Sequence, residues 1–158
     1  MPAVSDSSPL ILFARINQLD LLQRVFERVI VPPAVWREVV EAVPGRAGAA
    51  EVRAAGWIRR EASPPPSAML APLGAGEAEA IALALARHPN LPILLDDGPD
   101  CRAAKVAGLE VVGCVGILLL ARTRGVVAAV RPHLLDLLAA GLYLRRNAAD
   151  ELLREIGE

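Results

Sequence analysis

Short apolar runs alternate with longer stretches of helical spacing along most of the chain. The apolar runs are only a few residues long and rich in Val, Ile and Leu, which is typical of buried strands in a parallel sheet. Strands are predicted at residues 3–5, 28–31, 57–60, 92–95 and 109–112. Helices are predicted at residues 7–16, 19–26, 34–43, 49–55, 74–86, 99–107, 116–122, 126–140 and 148–156.

This alternation predicts an α/β fold with a short, mostly parallel central sheet and helices on both faces. The helix at residues 74–86 is apolar on nearly every side, so we expect it to be buried. The Pro-rich stretch at residues 63–67 is predicted to be a rigid connector, because neither flank could hold a core of its own. The 158 residues are therefore predicted to form a single domain, residues 1–158, with the helices from about residue 126 packing on it.

Composition narrows the class of protein. Hydrophobic residues make up 54% of the chain and aromatic residues only 3%, which argues against a disordered chain and against an aromatic-rich β-sandwich. The net charge of −1 gives no overall attraction to nucleic acid, so any such contact depends on local arginines. Cys101 and Cys114 lack the spacing of a zinc site, and the N-terminal stretch lacks the basic region of a signal peptide. The apolar run at 115–121 is too short to cross a bilayer, so we expect a cytoplasmic protein with no membrane partner.

Aspartates follow two of the predicted strands directly. Asp6 follows the first strand, and Asp96 and Asp97 follow the strand at 92–95. Ligands of such sheets gather at the carboxyl ends of the strands, so these side chains point to a functional edge. Helix capping is the alternative for Asp6 and for Asp97. The serines and the proline at positions 7–9 are sufficient to start the next helix, which leaves Asp6 available for another role.

Two glutamates are predicted to lie on apolar faces of helices. Glu38 shares a stripe with Val35, and Glu77 shares one with Ile81, whereas Glu79 lies on a different face. A buried carboxylate without a partner is costly, and a nearby cation would offset that cost. The alternatives are that Glu38 reaches water and that Glu77 is a first-turn glutamate favoured by the helix dipole.

Taken together, the four acidic residues predict a metal site at one end of the sheet. Carboxylates brought close together repel one another, and divalent cations would neutralise them. Hard oxygen ligands suit Mg²⁺ or Mn²⁺, and such a site is suited to the hydrolysis of phosphodiesters. The predicted catalytic and metal-binding residues are Asp6, Glu38, Glu77 and Asp96.

Several segments resemble the PIN-domain nucleases, and in particular the VapC-like toxins of prokaryotic toxin–antitoxin pairs. The likeness is carried by VSDSSPLILFARINQLDLL, VIVPPAVWREV, GAGEAEAIALALA and ILLDDGPDCRAAKVAGLEVVGCVGILLLA, which together cover most of residues 3–121 in order. The resemblance implies a three-layer α/β/α sandwich with an acidic ribonuclease site that depends on Mg²⁺ or Mn²⁺.

Residue by residue, the resemblance implies roles for each acidic side chain. Asp6 matches the first carboxylate of the family, Glu38 the acid after the second strand, and Glu77 the acid that opens the central helix. Asp96 matches the acid at a strand end, with Asp97 as a further metal ligand beside it. Many PIN domains carry Asp in place of Glu77, so the longer side chain would bind metal through water.

The resemblance and the local arginines together imply contacts with substrate. Arg102 matches a basic position of the subgroup with a "DD…R" pattern, where it would meet phosphate, orient a carboxylate or form a structural salt bridge. Ser7 and Arg15 are also predicted to contact the substrate, and the pair at 59–60 is a further candidate. Ordinary solvated surface is the alternative for these arginines.

The sequence thus predicts a metal-dependent endoribonuclease, the toxin of a toxin–antitoxin pair. Its implied partners are RNA, a small antitoxin protein and a second copy of the chain. The apolar stretch at 134–144 would suit such a contact, with core packing as the alternative. The other function considered is a catalytically silent PIN-fold module for protein interaction. A nucleotide-binding protein is disfavoured because GAGEAE lacks the third glycine of the phosphate-binding motif.

Overall fold

A computed structural model of the chain describes residues 1–96 and 98–158, with Pro99 and Asp100 described for their backbone alone. The strands are β1 (Ala3–Ser5), β2 (Val29–Val31), β3 (Ile58–Arg60), β4 (Ile93–Leu94) and β5 (Val111–Val112). The helices are α1 (Ser7–Arg15), α2 (Leu19–Phe26), α3 (Pro33–Trp36), α4 (Ala49–Ala54), α5 (Ala75–Arg87), α6 (Pro99–Val106), α7 (Cys114–Thr123), α8 (Arg131–Ala140) and α9 (Ala148–Glu155). A π-helical turn (Arg37–Glu41) continues α3, and a 3₁₀ turn (Ala68–Leu70) precedes α5.

The strands form one five-stranded parallel sheet in the order β3-β2-β1-β4-β5. The central strand β1 is in register with both neighbours, since Val4 pairs with Ile30 of β2 and with Ile93 of β4. The chain adds strands on one side of β1 and then on the other, so the order reverses between β1 and β4. In open parallel sheets the crevice at such a reversal, outside the carboxyl ends of the strands, is where ligands bind.

Helices cover both faces of the sheet. Helix α5 contacts β1 and β4, and α3 and α6 pack on α5. On the other side, α2 contacts β2, α7 contacts β5 and α2, and α1 contacts α2. The predicted α/β/α sandwich is confirmed, and the sheet is wholly parallel across the described residues.

The core is built mostly from aliphatic side chains, with the two phenylalanines at its centre. Phe13 and Phe26 are buried on α1 and α2, and Ile81 and Leu83 are fully buried on α5. The burial of α5 follows from its small and aliphatic residues, which let it lie close to the sheet. Its last turn is an exception, because Leu85 is 40% exposed.

Helix α8 differs from its predicted bounds, because it begins at Arg131 and not at residue 126. Gly125 has a positive φ of 70°, which ends the preceding helical segment. Pro132 lies in the first turn of α8, where a proline removes no helical hydrogen bond. A helix from 126 to 140 would have placed that proline in its interior, where it is strongly unfavourable.

The apolar stretch at 134–144 belongs mostly to the core. Leu134 and Leu137 are fully buried, while Leu135 and Tyr143 are 52% and 79% exposed. Core packing therefore accounts for the buried side chains, and only part of this stretch offers apolar surface. Among the described residues, no helix has both the length and the apolar character needed to cross a membrane.

The carboxylate of Glu158 binds the N-terminus of α8. It accepts hydrogen bonds from the backbone N–H groups of Val130 (2.9 Å) and Arg131 (3.0 Å). Arg122 Nη1 lies 3.5 Å from Glu158 Oε2. The two backbone hydrogen bonds hold the pKa of Glu158 below its ordinary value. Partial burial acts in the opposite direction, and the nearby arginines lower the pKa further. The interaction therefore favours the charged form of the carboxyl group.

Replacing Glu158 by alanine is expected to lower the melting temperature at pH 7, because the charged cap of α8 is lost. A carboxyl group with a lowered pKa stabilises the fold above its unfolded-state pKa of about 4.3, and that stabilisation is lost as the pH falls through the folded-state pKa. The difference between the original protein and Glu158→Ala should therefore shrink below about pH 4. Thermal melts from pH 7 to pH 3 measure it, with the exposed Glu155→Ala as the control. An equal, pH-independent effect of both variants would contradict the capping role.

Candidate functional site

Two serines at the start of α1 each contact a different one of the predicted acidic residues. Ser7 Oγ donates a hydrogen bond to Glu38 Oε2, and Ser8 Oγ donates one to Asp96 Oδ2 at 2.9 Å. Asp6 directly precedes these serines and is 4% exposed. Its backbone N–H donates to the carbonyl of Leu94 in the neighbouring strand at 3.1 Å. The structure therefore brings Asp6, Glu38 and Asp96 to the start of α1, at the reversal between β1 and β4.

The serines do not have the role expected of them from the sequence. Asp6, and not a serine, occupies the N-cap position of α1, with extended backbone angles. Ser7 is the first residue of the helix, and its hydroxyl group reaches Glu38. The short hydroxyl side chains thus fix the positions of two carboxylates that come from distant parts of the sequence.

Glu38 lies in the π-helical turn that continues α3. The turn is closed by a hydrogen bond from Ala42 N–H to the carbonyl of Arg37 at 2.7 Å, five residues back. Such turns are rare and are frequent at functional sites. The Glu38 carboxylate is half-buried and accepts a second hydrogen bond from Gly76 N–H in the first turn of α5, at 3.1 Å. It therefore lies at the positive end of that helix, which favours its charge.

Gly76 is needed for Glu38 to approach α5. A Cβ atom at residue 76 would lie 2.7 Å from both carboxylate oxygens of Glu38. Any larger residue would push the carboxylate away from the helix N-terminus. The glycine in GAGEAE therefore makes room for a carboxylate rather than for a phosphate.

Asp96 caps helix α7, although the sequence offers capping as an alternative only for Asp6 and for Asp97. Its Oδ1 accepts a hydrogen bond from Cys114 N–H at 2.8 Å, at the first residue of α7. The Cys114 thiol donates to Asp96 Oδ2 at 3.2 Å. Asp96 therefore caps not α6, the helix that follows it in the chain, but α7, the next one. Capping does not remove it from the site, because Ser8 contacts the same carboxylate.

Burial and the neighbouring Asp96 carboxylate both raise the pKa of the Cys114 thiol well above its ordinary range. The side chain is fully buried. Cys114 is therefore a protonated donor to Asp96 and not a nucleophile, since only the thiolate is reactive.

The two glutamates of α5 have different environments. Glu77 is half-buried, and its carboxylate lies against Gly74 at the N-cap of α5. Glu79 Oε2 accepts a hydrogen bond from Ala34 N–H at 2.9 Å, in the first turn of α3. The sequence places the two on different faces and does not indicate this capping role of Glu79. Glu77 is next to Gly76 in the chain and so adjoins the Glu38 contact.

The remaining predicted site residues are placed as follows. Arg15 is exposed at the far end of α1 from Asp6, and its Nη1 donates to the carbonyl of Ala140 at 3.1 Å. It therefore binds the end of α8 rather than joining the acidic residues. Arg102 is exposed on α6. Asp97 lies outside the described residues.

The donor set fits a divalent cation bound partly through water. Among the side chains that the structure describes, which exclude those of residues 97, 99 and 100, no group of three or more His, Cys, Asp or Glu is close enough to hold a metal ion by itself. Mg²⁺ usually keeps several waters and takes only one or two carboxylates from the protein. Asp6 and Asp96 at the ends of adjacent strands supply hard oxygen donors of the kind that Mg²⁺ and Mn²⁺ prefer.

The comparison with protein families gives one result over almost the whole chain. The family model described as a PIN domain matches residues 2–158. The matched range includes every residue of the acidic site described above. No match was found among curated proteins or among solved structures.

Replacing Asp96 by alanine is expected to destabilise the fold by about 1 kcal/mol or more, because α7 loses its cap. Asp96→Asn should cost less, since an amide oxygen can still accept the Cys114 N–H. Urea denaturation measures the free energy of unfolding. Asp136→Ala, which removes an exposed aspartate in the interior of α8, serves as the control. If both alanine variants are equally stable, Asp96 is not the cap of α7.

Proposed function

The chain belongs to the PIN-domain family, and we propose that it is a metal-dependent endoribonuclease whose site is the acidic edge around Asp6. The family is typically one of nucleases that use divalent metal ions, which makes hydrolysis of a phosphodiester the natural reaction. The observation that carries the proposal for this chain is the pair of serine contacts. They hold the carboxylates of Glu38 and Asp96 at the first turn of α1, directly after Asp6.

Each acidic residue has a distinct role in the proposed site. Asp6 and Asp96 would be the direct ligands of Mg²⁺ or Mn²⁺, because they end adjacent central strands. Glu38, from the π-helical turn, and Glu77, from the first turn of α5, would orient metal-bound waters. When bound, the cation would lower the pKa of a water molecule and offset negative charge on the phosphate.

The remaining side chains would hold these groups in place. Ser7 and Ser8 fix the orientation of Glu38 and Asp96, and Cys114 holds Asp96 from the opposite side through its N–H and thiol groups. Preorganised ligands of this kind cost little rearrangement when the substrate arrives. Arg102 is proposed to meet the RNA backbone, whereas the predicted substrate contact of Ser7 is not proposed, because its hydroxyl group is buried and donates to Glu38.

We place the activity in a prokaryotic toxin–antitoxin pair on the strength of the sequence resemblance to VapC-like toxins. A small antitoxin and a second copy of the chain would be its protein partners. The other function, a catalytically silent interaction module, rests on the same fold. Mn²⁺ binding separates the two, since a purely structural module has no need to bind the cation.

Replacing Asp6 by asparagine should reduce cleavage of single-stranded RNA by at least about a hundredfold, because one direct metal ligand loses its charge. The fold should persist, since the side chain keeps its size. Cleavage is followed on a gel with Mg²⁺ and with EDTA, and circular dichroism checks the fold. The exposed Asp20→Asn controls for loss of one negative charge. Undiminished cleavage by Asp6→Asn would rule out this site.

Mn²⁺ titration by calorimetry tests the same site without RNA. Binding that is present in the original protein and lost in Asp6→Asn would support the nuclease. Absence of both Mn²⁺ binding and cleavage in the original protein would favour the silent module.

A further inference from the structure

Trp36 and Arg60 form a stacked pair on the surface near the carboxyl end of β3. The guanidinium carbon of Arg60 lies 4.6 Å from the centroid of the Trp36 ring, within the range of a cation–π interaction. Trp36 is half-buried and Arg60 is exposed, so the outer face of the guanidinium group is open to solvent. In the sequence, Arg60 stands out only as part of a basic pair with Arg59, and nothing connects it with Trp36.

The pair lies at the same edge of the sheet as the acidic residues. Arg60 is the last residue of β3 and is in register with Val31, the last residue of β2. Trp36 ends α3, and the π-helical turn that carries Glu38 begins at the next residue. A single exposed residue, Arg37, separates Trp36 from Glu38 in the chain, so the stacked pair and Glu38 belong to consecutive turns of one helical segment.

The surface around the stacked pair contains a cavity of about 320 Å³ with charged and aromatic walls. Its lining includes Trp36, Arg37, Arg60, Glu41 and Glu61. Glu61 is engaged by His88, whose Nε2 lies 2.6 Å from Glu61 Oε2. The carboxylates make the cavity a poor site for a bare phosphate. A nucleotide is better suited, because its base can stack and its amino or 2′-hydroxyl groups can donate to a carboxylate.

We propose that the Trp36–Arg60 pair is a nucleotide subsite of the ribonuclease, where a base of single-stranded RNA stacks on the guanidinium plane. Unpaired RNA bases stack on aromatic rings and on arginine planes in many protein complexes. The free N–H groups at the edge of Arg60 would meet the adjoining phosphate. The inference rests on the proposed ribonuclease function, and it names a part of the surface, at the same edge of the sheet as the acidic residues, that would hold RNA.

Intrinsic fluorescence offers a direct test, because the chain contains only two tryptophans. In Trp57→Phe, Trp36 is the sole tryptophan and reports on the subsite. Unlabelled single-stranded RNA is titrated in EDTA, so that it binds without being cleaved. We expect a saturable change in Trp36 emission that follows the same curve as the anisotropy of fluorescein-labelled RNA. In the matched variant Trp36→Phe, the emission of Trp57 should not respond.

Neighbouring arginines of β3 provide a second test with a matched control. Successive side chains of a strand point to opposite faces, so Arg59 and Arg60 carry the same charge on different sides. Arg60→Ala should raise the dissociation constant for RNA by at least about fivefold, as expected for loss of one stacked base. Arg59→Ala should change it by less than about twofold. Thermal melts confirm that each variant is folded.

The outcomes separate this inference from the proposed function. If RNA binds but Trp36 emission does not change, or if Arg59→Ala and Arg60→Ala weaken binding equally, the subsite is wrong while the nuclease stands. In that case the Trp36–Arg60 pair has only a structural role, in which it packs β3 against α3. If RNA neither binds nor is cleaved with Mg²⁺, the ribonuclease itself is wrong and the subsite is overturned with it.

Discussion

Backbone N–H groups at helix N-termini hold three acidic side chains of this protein in place. Glu38 accepts from the first turn of α5, Asp96 from the first turn of α7, and Glu79 from the first turn of α3. Asp6 stands at the N-cap of α1. A parallel sheet directs these helix starts to its carboxyl edge, because each helix follows the end of a strand. The helix N-termini therefore give this edge of the sheet a positive electrostatic potential, which favours carboxylates there.

This arrangement changes the energetic argument for a cation. From the sequence, a metal ion is predicted to neutralise the repulsion among the carboxylates. The structure shows that helix N-termini and serine hydroxyls already stabilise Glu38 and Asp96. A cation is therefore not needed for the acidic residues to come together. Its proposed role is confined to the chemistry of the phosphate and the attacking water.

Most of the fold could be predicted from the sequence, because short apolar strands and helical periodicity are local properties. All five strands are found within a residue or two of their predicted positions. The errors came from competing local signals. The predicted helix from residue 126 ran through Pro132, although a proline belongs in a first turn. The π-helical turn at Glu38 has no pattern that distinguishes it from an ordinary helix.

The site was less predictable, because its contacts join residues far apart in the chain. Asp6, Glu38 and Asp96 could be selected as strand-end or misplaced acids, but their partners could not. Ser8 and Asp96 are 88 residues apart, and Gly76 and Glu38 are 38 apart. Neither Gly76 nor Cys114 has a local signal for contact with an acid. The same limit hid the Trp36–Arg60 pair, since only the pairing of β2 with β3 brings Arg60 up to the helix that follows β2. The acids of such a site can thus be read from local sequence, whereas the side chains that orient them and receive the substrate depend on the sheet order.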